Sequence, residues 1–198
     1  MILKTKRLIL RPPRKSDWKD VVEGVGNLSV SKNTKRIPYP YSKKDALWWI
    51  NKSVKDWKEK KSYSFVIELK SEKKIIGCIG IGGVSEFQGT AVTGSWINKN
   101  YWRKGYITEA KIAANDFAFN NLKLRKLNST VFTDNVASNK TQQSTGYKLE
   151  GCKRKNVRSL ASGKIKDVNL YGLFKEDWKK KRSDLVKKLE RKIKENAK

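Results

Sequence analysis

The chain is 198 residues long and carries 46 lysines and arginines against 19 aspartates and glutamates, a formal net charge of +27. This length predicts one compact domain with a substantial core. An apolar fraction of 37%, with seven Trp, seven Tyr and six Phe, excludes an intrinsically disordered chain. So positive a surface attracts polyanions, and it fits either a specific nucleic-acid-binding role or a general enrichment in surface lysine.

Histidine is absent, and the two cysteines, Cys78 and Cys152, lie in separate apolar segments. Ser/His/Asp triads, Cys/His pairs and zinc sites are therefore excluded, and no metal site is expected. We expect both thiols to be small core residues rather than nucleophiles. No run approaches 18 apolar residues, and the N-terminus lacks the uninterrupted apolar segment of a signal peptide, so we expect a cytoplasmic protein with no membrane span.

The first third of the chain predicts a strand and two helices. Residues 7–12 alternate basic and apolar side chains before two prolines, as a strand does. Ser16 and Asp17 are expected to cap a short helix that ends near Gly24, and residues 25–41 are expected to form a loop. A capping box at residues 42–45 then starts a helix. Its core-facing positions are Ala46, Trp49, Ile50, Val54 and Trp57.

The middle of the chain predicts a sheet followed by a helix. Residues 63–69, 74–84 and 90–98 show strand patterning with short polar turns between them, which favours an antiparallel meander. Residues 105–120 place many alanines on one broad face, which suits a helix packed closely on a sheet. Residues 126–133 predict a further strand.

The last third predicts a short helix, two strands and a basic helix. The short helix covers residues 135–146 and ends at Gly146. The strands cover residues 147–153 and 165–174. Residues 175–198 place apolar side chains on one stripe among many cations, which predicts an amphipathic helix that is either a solvated face or a basic arm for RNA or a partner.

The segment NYWRKGYITEA, residues 100–110, joins a strand to a helix through Gly105. Free amides and the positive end of the helix dipole meet at such a junction, and glycine lets an anion approach the backbone. The segment matches neither the nucleoside-triphosphate loop nor the dinucleotide fingerprint. Taken alone, it fits a phosphate site or a glycine loop without a ligand.

A second segment, NVASNKTQQSTGYKLEG at residues 135–151, changes this interpretation. Together with SWINKNYWRKGYITEA at 95–110, it closely resembles the GNAT superfamily of acetyl-CoA-dependent N-acetyltransferases, in the branch of RimJ/RimL-type enzymes that act on ribosomal-protein N-termini. The resemblance implies an α/β (α+β) GNAT fold, in which helices flank a central mixed, mostly antiparallel sheet of about seven strands. Residues 1–178 would form the acetyltransferase domain and residues 179–198 a basic C-terminal helical extension.

The resemblance also implies the contacts to acetyl-CoA. The loop and helix start would hold its pyrophosphate, the end of the preceding strand would splay from its neighbour and pair with the pantetheine arm, and an amide near Ile97 would polarise the thioester carbonyl. Ser138 would protonate the leaving thiolate as a general acid. The implied cofactor residues are Trp96, Ile97, Asn98, Trp102, Arg103, Lys104, Gly105, Tyr106, Ile107, Thr108, Asn135 and Ser138.

One departure from the family concerns the general base. Many relatives carry a glutamate as the base where this chain has Val92. Glu86, the nearest acidic residue, is then the candidate catalytic base, and the alternative is that it is a solvated loop glutamate. An α-amine, with a pKa of about 7.7–8.0, depends less on a base than a lysine amine at about 10.4. The missing glutamate therefore favours an N-terminal amine as the acceptor.

The expected function is direct transfer of acetyl from acetyl-CoA to a primary amine, above all the N-terminus of a protein such as a ribosomal protein. Two alternatives stay open. One is a GNAT enzyme for a small-molecule amine, such as an antibiotic or an amino-acid analogue, because fold does not fix substrate. The other is a catalytically degenerate, basic GNAT-like protein that binds RNA or DNA. We expect association with the ribosome or RNA through the basic surface, and a monomer or homodimer.

Overall fold

The computed structural model describes residues 1–195, which build one eight-stranded sheet with helices packed on it. The strands are β1 (Leu3–Lys4), β2 (Leu8–Arg11), β3 (Tyr63–Leu69), β4 (Lys74–Ser85), β5 (Thr90–Ile97), β6 (Lys126–Phe132), β7 (Lys148–Arg158) and β8 (Ile165–Phe174). The helices are α1 (Trp18–Val25), α2 (Leu28–Ser31), α3 (Lys43–Lys58), α4 (Tyr106–Asp116), α5 (Val136–Ser144) and α6 (Lys175–Glu195). Within residues 1–195, no helix has the length and apolar character needed to cross a bilayer.

The sheet contains one parallel pair, and that pair opens a gap. Strand order is β1-β2-β3-β4-β5-β6-β8-β7, and only β5 and β6 run parallel. Their pairing runs from Thr90 opposite Lys126 to Thr93 opposite Ser129 and then stops. Residues 94–97 of β5 therefore separate from β6 and leave a V-shaped gap, which confirms the splayed strands that the family resemblance implies.

Helix α4 packs on the sheet through its alanines. Ala110, Ala114 and Ala118 are buried in the main core with Leu10 of β2 and Phe65 of β3. Small side chains let the helix approach the strands closely, so the predicted broad alanine face is confirmed. Beyond Asp116 the helix continues as a π-helical turn through residues 117–121.

Most predicted elements are confirmed within two residues at each end. The capping box of α3 forms as expected, with the Asp45 amide donating to Ser42 Oγ and the Ser42 amide donating to the Asp45 carboxylate. Gly146 lies just beyond α5 with φ of +93°, the left-handed conformation that glycine adopts without strain. The sheet has one strand more than expected, because the two-residue β1 pairs with β2.

Several local expectations were wrong, among them the end of β7, which runs to Arg158 rather than to residue 153. Asp17 does not cap α1 with its side chain, because its carboxylate accepts hydrogen bonds from the Arg11 guanidinium at 2.9 Å and the Arg14 amide at 2.7 Å. Residues 28–31 form the short helix α2 inside the predicted loop, capped by Asn27. Cys152 is exposed on β7 rather than buried in the core, whereas Cys78 is buried.

Helix α6 runs antiparallel along α4. Trp178 and Leu185 are buried, and Trp178 Nε1 donates to Asp116 at the end of α4, 2.9 Å away. Further along α6, Leu189 reaches Gly105 at the start of α4. The predicted amphipathic helix is confirmed over residues 175–195, and residues 196–198 lie outside the described part of the chain.

Candidate active site

The loop between β5 and α4 presents backbone amides at the start of a helix. Gly105 is the N-cap residue of α4, with φ of +79°, and Arg103 also adopts a left-handed conformation, with φ of +63°. In an α-helix the amides of the first turn have no partner within the helix, so those of Tyr106, Ile107 and Thr108 are free for an acceptor. The positive end of the helix dipole lies at the same place and favours an anion.

An ion pair between a buried glutamate and a partly buried arginine holds this loop against the N-terminal segment. Glu109, which is 2% exposed, accepts hydrogen bonds from Thr5 Oγ1 at 2.6 Å, the Arg7 amide at 2.8 Å and Arg7 Nε at 2.7 Å. Arg7 Nη1 in turn donates to the Lys104 carbonyl at 3.0 Å, and its guanidinium lies 4.3 Å from the Tyr106 ring centroid. Arg7 and Glu109 were not predicted from the sequence, because they lie about a hundred positions apart in the chain.

Glycine at position 105 is required by its backbone conformation. Its φ of +79° is one that residues with a side chain rarely adopt, and a Cβ there would make only ordinary contacts, 3.4 Å from Leu189 Cδ1 and 3.5 Å from Arg7 Nη2. The turn that Gly105 permits leaves the first amides of α4 without a partner in the helix, an arrangement that suits an anion such as a diphosphate.

The end of β5 directs amides into the gap. The Asn98 amide donates to the Ile76 carbonyl of β4. Because backbone groups of successive strand residues point to opposite sides, the amides of Ser95 and Ile97 point away from β4, toward the gap. The carbonyl of Ile97 accepts from the Trp102 indole at 2.8 Å.

The side chains of Trp96 and Asn98 are occupied within the protein. Trp96 packs against Gly24 of α1, and Asn98 is buried with its side-chain nitrogen 3.2 Å from Glu23. At the end of β5, therefore, the backbone rather than these side chains is available to a cofactor.

The start of α5 lies at the same gap. The Asn135 side-chain oxygen caps α5 by accepting from the Ser138 amide at 3.1 Å. Ser138 lines a cavity together with residues 94–96 of β5 and 130–132 of β6. Asn139, which the sequence analysis missed, fixes this helix start by donating to the carbonyls of Phe132 and Asn135, both at 2.9 Å.

The cavity measures about 630 Å³ and extends from the gap to α1, α3 and the loop between α2 and α3. Val92 lines it, whereas Glu86 is exposed in the turn after β4 and is not among the lining residues. The position of Glu86 therefore gives no support to its predicted role as a base. Among described residues the only acidic side chain lining the cavity is Asp56, which is ion-paired with Lys52 at 2.9 Å.

A cysteine also lines this cavity. Cys78 lies on β4 and is buried. Burial raises the pKa of its thiol to about 12, so the reactive thiolate is scarce near neutral pH. This favours the predicted structural role for Cys78 over a nucleophilic one.

A buried polar network lies where β5 and β6 separate. Lys111 of α4 is 2% exposed, and its Nζ donates to Gln142 Oε1 at 2.8 Å. Gln142 Nε2 donates to Ser129 Oγ at 3.0 Å, and Ser129 Oγ donates to the Thr93 carbonyl at 3.2 Å. The Lys111 ammonium also lies 4.4 Å from the Tyr147 ring centroid. Burial lowers the pKa of Lys111 to about 7.

This network was not predicted, because the alanine pattern of α4 did not show that a lysine enters the core. Gln142 and Ser129 both line the cavity. The network therefore joins α4 and α5 to β5 and β6 at the point where these two strands separate, directly beside the cavity.

The comparisons with known proteins agree with this geometry. The family model described as an acetyltransferase (GNAT) domain matches residues 7–148. The N-acetyltransferase YoaA of Bacillus subtilis, whose function is uncharacterised, is 29% identical over 174 residues, covering 88% of this chain and 97% of YoaA.

Two solved structures share the fold. RimJ of Mycobacterium smegmatis, in complex with CoA-disulfide, superposes with a TM-score of 0.77 at 19% identity, covering 86% of this chain and 83% of RimJ. The ribosomal-protein-S5-alanine acetyltransferase of Vibrio fischeri superposes with a TM-score of 0.75 at 18% identity, covering 90% and 98%. The family match, the free amides at Gly105 and the opened β5–β6 pair lead to one conclusion: this chain belongs to the GNAT family and is an acetyl-transfer enzyme that uses acetyl-CoA.

Proposed function

We propose that the enzyme transfers acetyl from acetyl-CoA directly to the N-terminal α-amine of a protein, with ribosomal proteins as the leading class. The observation that carries this proposal is the cavity wall, in which the described residues offer no unpaired carboxylate. An α-amine, with a pKa of about 7.7–8.0, is partly neutral near pH 7 and needs little help to lose its proton. A lysine amine at about 10.4 needs a base. The name of the Vibrio fischeri neighbour, an acetyltransferase of a ribosomal protein, supports the same substrate class.

Different residues around the gap would carry out different parts of the acetyl transfer. The amides of residues 106–108 would hold the diphosphate, and acetyl-CoA supplies an acetyl group activated as a thioester. The Ser95 and Ile97 amides would stabilise negative charge on the carbonyl oxygen, as an oxyanion hole does. Ser138 would donate a proton to the departing thiolate. The protonated state of Cys78 supports direct transfer without an acyl-cysteine intermediate.

We also propose where in the cell the enzyme acts and what it associates with. The charge of +27 supports association with ribosomal RNA, where nascent chains and ribosomal proteins are found, and a cytoplasmic location. The division into a catalytic domain at residues 1–178 and an extension at residues 179–198 stays a prediction, as does the choice between monomer and homodimer.

A peptide panel tests the substrate class. Peptides with a free N-terminus and no lysine, the same peptides with a blocked N-terminus and one lysine, polyamines and aminoglycosides are each incubated with acetyl-CoA, and free thiol release is followed. We expect acetylation of the free N-terminal peptides. Acetylation confined to the blocked, lysine-containing peptides would refute the α-amine, and acetylation confined to the small amines would assign the enzyme to small molecules.

Replacing Ser138 with alanine tests the general acid. We expect kcat to fall about 10²- to 10⁴-fold, the usual contribution of a positioned acid, with little change in acetyl-CoA affinity. Ser144→Ala is the matched control, because Ser144 is exposed on the same helix and does not line the cavity. Equal turnover in the two variants would remove Ser138 from the mechanism.

A further inference from the structure

Two cationic side chains of the loop between α2 and α3, Lys35 and Arg36, line the cavity. Lys35 is half-buried and Arg36 is exposed, and both contribute to the wall. In the described part of the chain neither side chain makes an ion pair, whereas Lys52 in the same wall is paired with Asp56. Burial, and secondly the charge of Arg36, lower the pKa of Lys35 to about 8.

Hydrogen bonds to neighbouring elements fix this part of the loop. Thr34 donates through its amide and its Oγ1 to the Ser31 carbonyl, at 2.9 and 2.8 Å. The Lys35 carbonyl accepts from the Leu160 amide in the turn between β7 and β8, at 3.3 Å. The two cations are thus presented by an anchored backbone on the wall of the cavity.

Hydrogen bonds also hold the turn between β7 and β8 that contacts Lys35. Arg158 Nη1 donates to the Gly163 carbonyl at 2.7 Å, and the Ser159 amide donates to the Lys164 carbonyl at 2.9 Å. The turn residues are not among the residues that line the cavity, so the positive charge on this side of it comes from Lys35 and Arg36.

An unpaired cation that is partly withdrawn from water loses hydration free energy, which a negative group brought by a ligand restores. The acetyl group is delivered from the β5–β6 gap, so a ligand on the α2–α3 side of the cavity is the acceptor. This inference rests on the proposed function. We propose that the acceptor is a protein N-terminus with acidic residues in its first few positions, and that their carboxylates pair with Lys35 and Arg36.

Matched peptides test this inference. Three lysine-free peptides with a free α-amine differ only at positions 2–4, which carry acidic residues (Asp or Glu), their amides (Asn or Gln) or Arg, and kcat/KM is measured for each by thiol release. We expect the acidic peptide to exceed its amide counterpart by about 10-fold or more, mainly through KM, since a hydrogen bond to a charged group contributes about that factor. The preference is expected to shrink with added salt.

In the double variant Lys35→Met/Arg36→Gln, kcat/KM for the acidic peptide is expected to lie within about 3-fold of the value that the same variant shows for the amide peptide. Lys44→Met is the control, because Lys44 is exposed on α3 and does not line the cavity. Circular dichroism checks that the double variant is folded.

The remaining outcomes separate the two proposals. Equal rates for the acidic and amide peptides in the wild type would overturn the acidic preference and leave N-terminal acetylation intact. Faster acetylation of phosphoethanolamine than of any peptide would assign the two cations to a small phosphate-bearing amine. No acetylation of any free N-terminus, with acetyl-CoA still bound, would refute the proposed function and this inference with it.

Discussion

Replacing Glu109 with alanine is expected to lower the free energy of unfolding by about 2–4 kcal/mol, somewhat less than the cost of breaking a fully buried ion pair, because Arg7 is 18% exposed. The change leaves the Arg7 guanidinium without its carboxylate and removes the acceptor of Thr5 and of the Arg7 amide. Because Arg7 also holds the Lys104 carbonyl, the loop at the start of α4 loses its anchor. Acetyl-CoA affinity should therefore fall with stability, as measured by urea denaturation and by calorimetric titration.

The Asp17–Arg11 ion pair provides the control for this effect. The side chains of Asp17 and Arg11 are 6% and 9% exposed, and neither makes a hydrogen bond to the loop at the start of α4. Asp17→Ala should lower stability by a smaller amount, because Arg11 keeps its second partner Glu68 at 2.7 Å, and it should leave acetyl-CoA affinity unchanged under conditions where both variants are folded. Glu86→Ala, at an exposed position, should change stability by no more than about 0.5 kcal/mol. Wild-type affinity in Glu109→Ala would contradict the anchoring role.

Replacing Lys111 with methionine is expected to stabilise the protein by about 1–4 kcal/mol at pH 6. Removal of the buried charge, whose pKa is lowered from 10.5 to about 7, contributes more at this pH than the loss of the hydrogen bond to buried Gln142 Oε1, which costs about 1–3 kcal/mol. The Lys111 ammonium is buried against an amide oxygen and an aromatic ring, and among the described residues no carboxylate is paired with it. Methionine fills a similar volume and has no charge to desolvate.

The pH dependence of this gain follows from the lowered pKa. The folded protein holds the Lys111 proton only below about pH 7, whereas the unfolded chain holds it below its ordinary value of 10.5. The wild type therefore loses stability as the pH falls from about 10 to 7, and loses no more from this group below that. Urea denaturation at pH 6 and pH 9.5 should show a large difference between the variant and the wild type at pH 6 and a smaller one at pH 9.5.

Lys187→Met serves as the control, because Lys187 is exposed on α6 and should show no such pH-dependent gain. The same stability difference at both pH values in Lys111→Met would show that the buried amine does not titrate as the structure indicates.

Local patterns predicted the elements that carry the cofactor loop. The turn from β5 into α4, the alanine face of α4 and the glycine after α5 each depend on residues within about ten positions of one another, and each formed as expected. Such features follow from caps, periodicity and turn residues, which are local properties of the chain.

The residues that position the loop could not be found in this way. Glu109 meets Thr5 and Arg7 only because β2 lies beside α4 in the fold, and Lys111 meets Gln142 only because α4 and α5 flank the same gap. Contacts between residues distant in sequence leave no periodic signal. Asp17 shows the same limit in part. Its carboxylate makes a local capping contact by accepting from the Arg14 amide in the turn before α1, but its pairing with Arg11 follows from the fold.

The most direct test is a crystal structure of the protein with coenzyme A. We expect the diphosphate to accept hydrogen bonds from the backbone amides of residues 106–108 and the pantetheine arm to lie along residues 94–97 of β5. A cofactor bound elsewhere, with Leu189 and Lys192 filling the space before α4, would contradict the assignment of this loop.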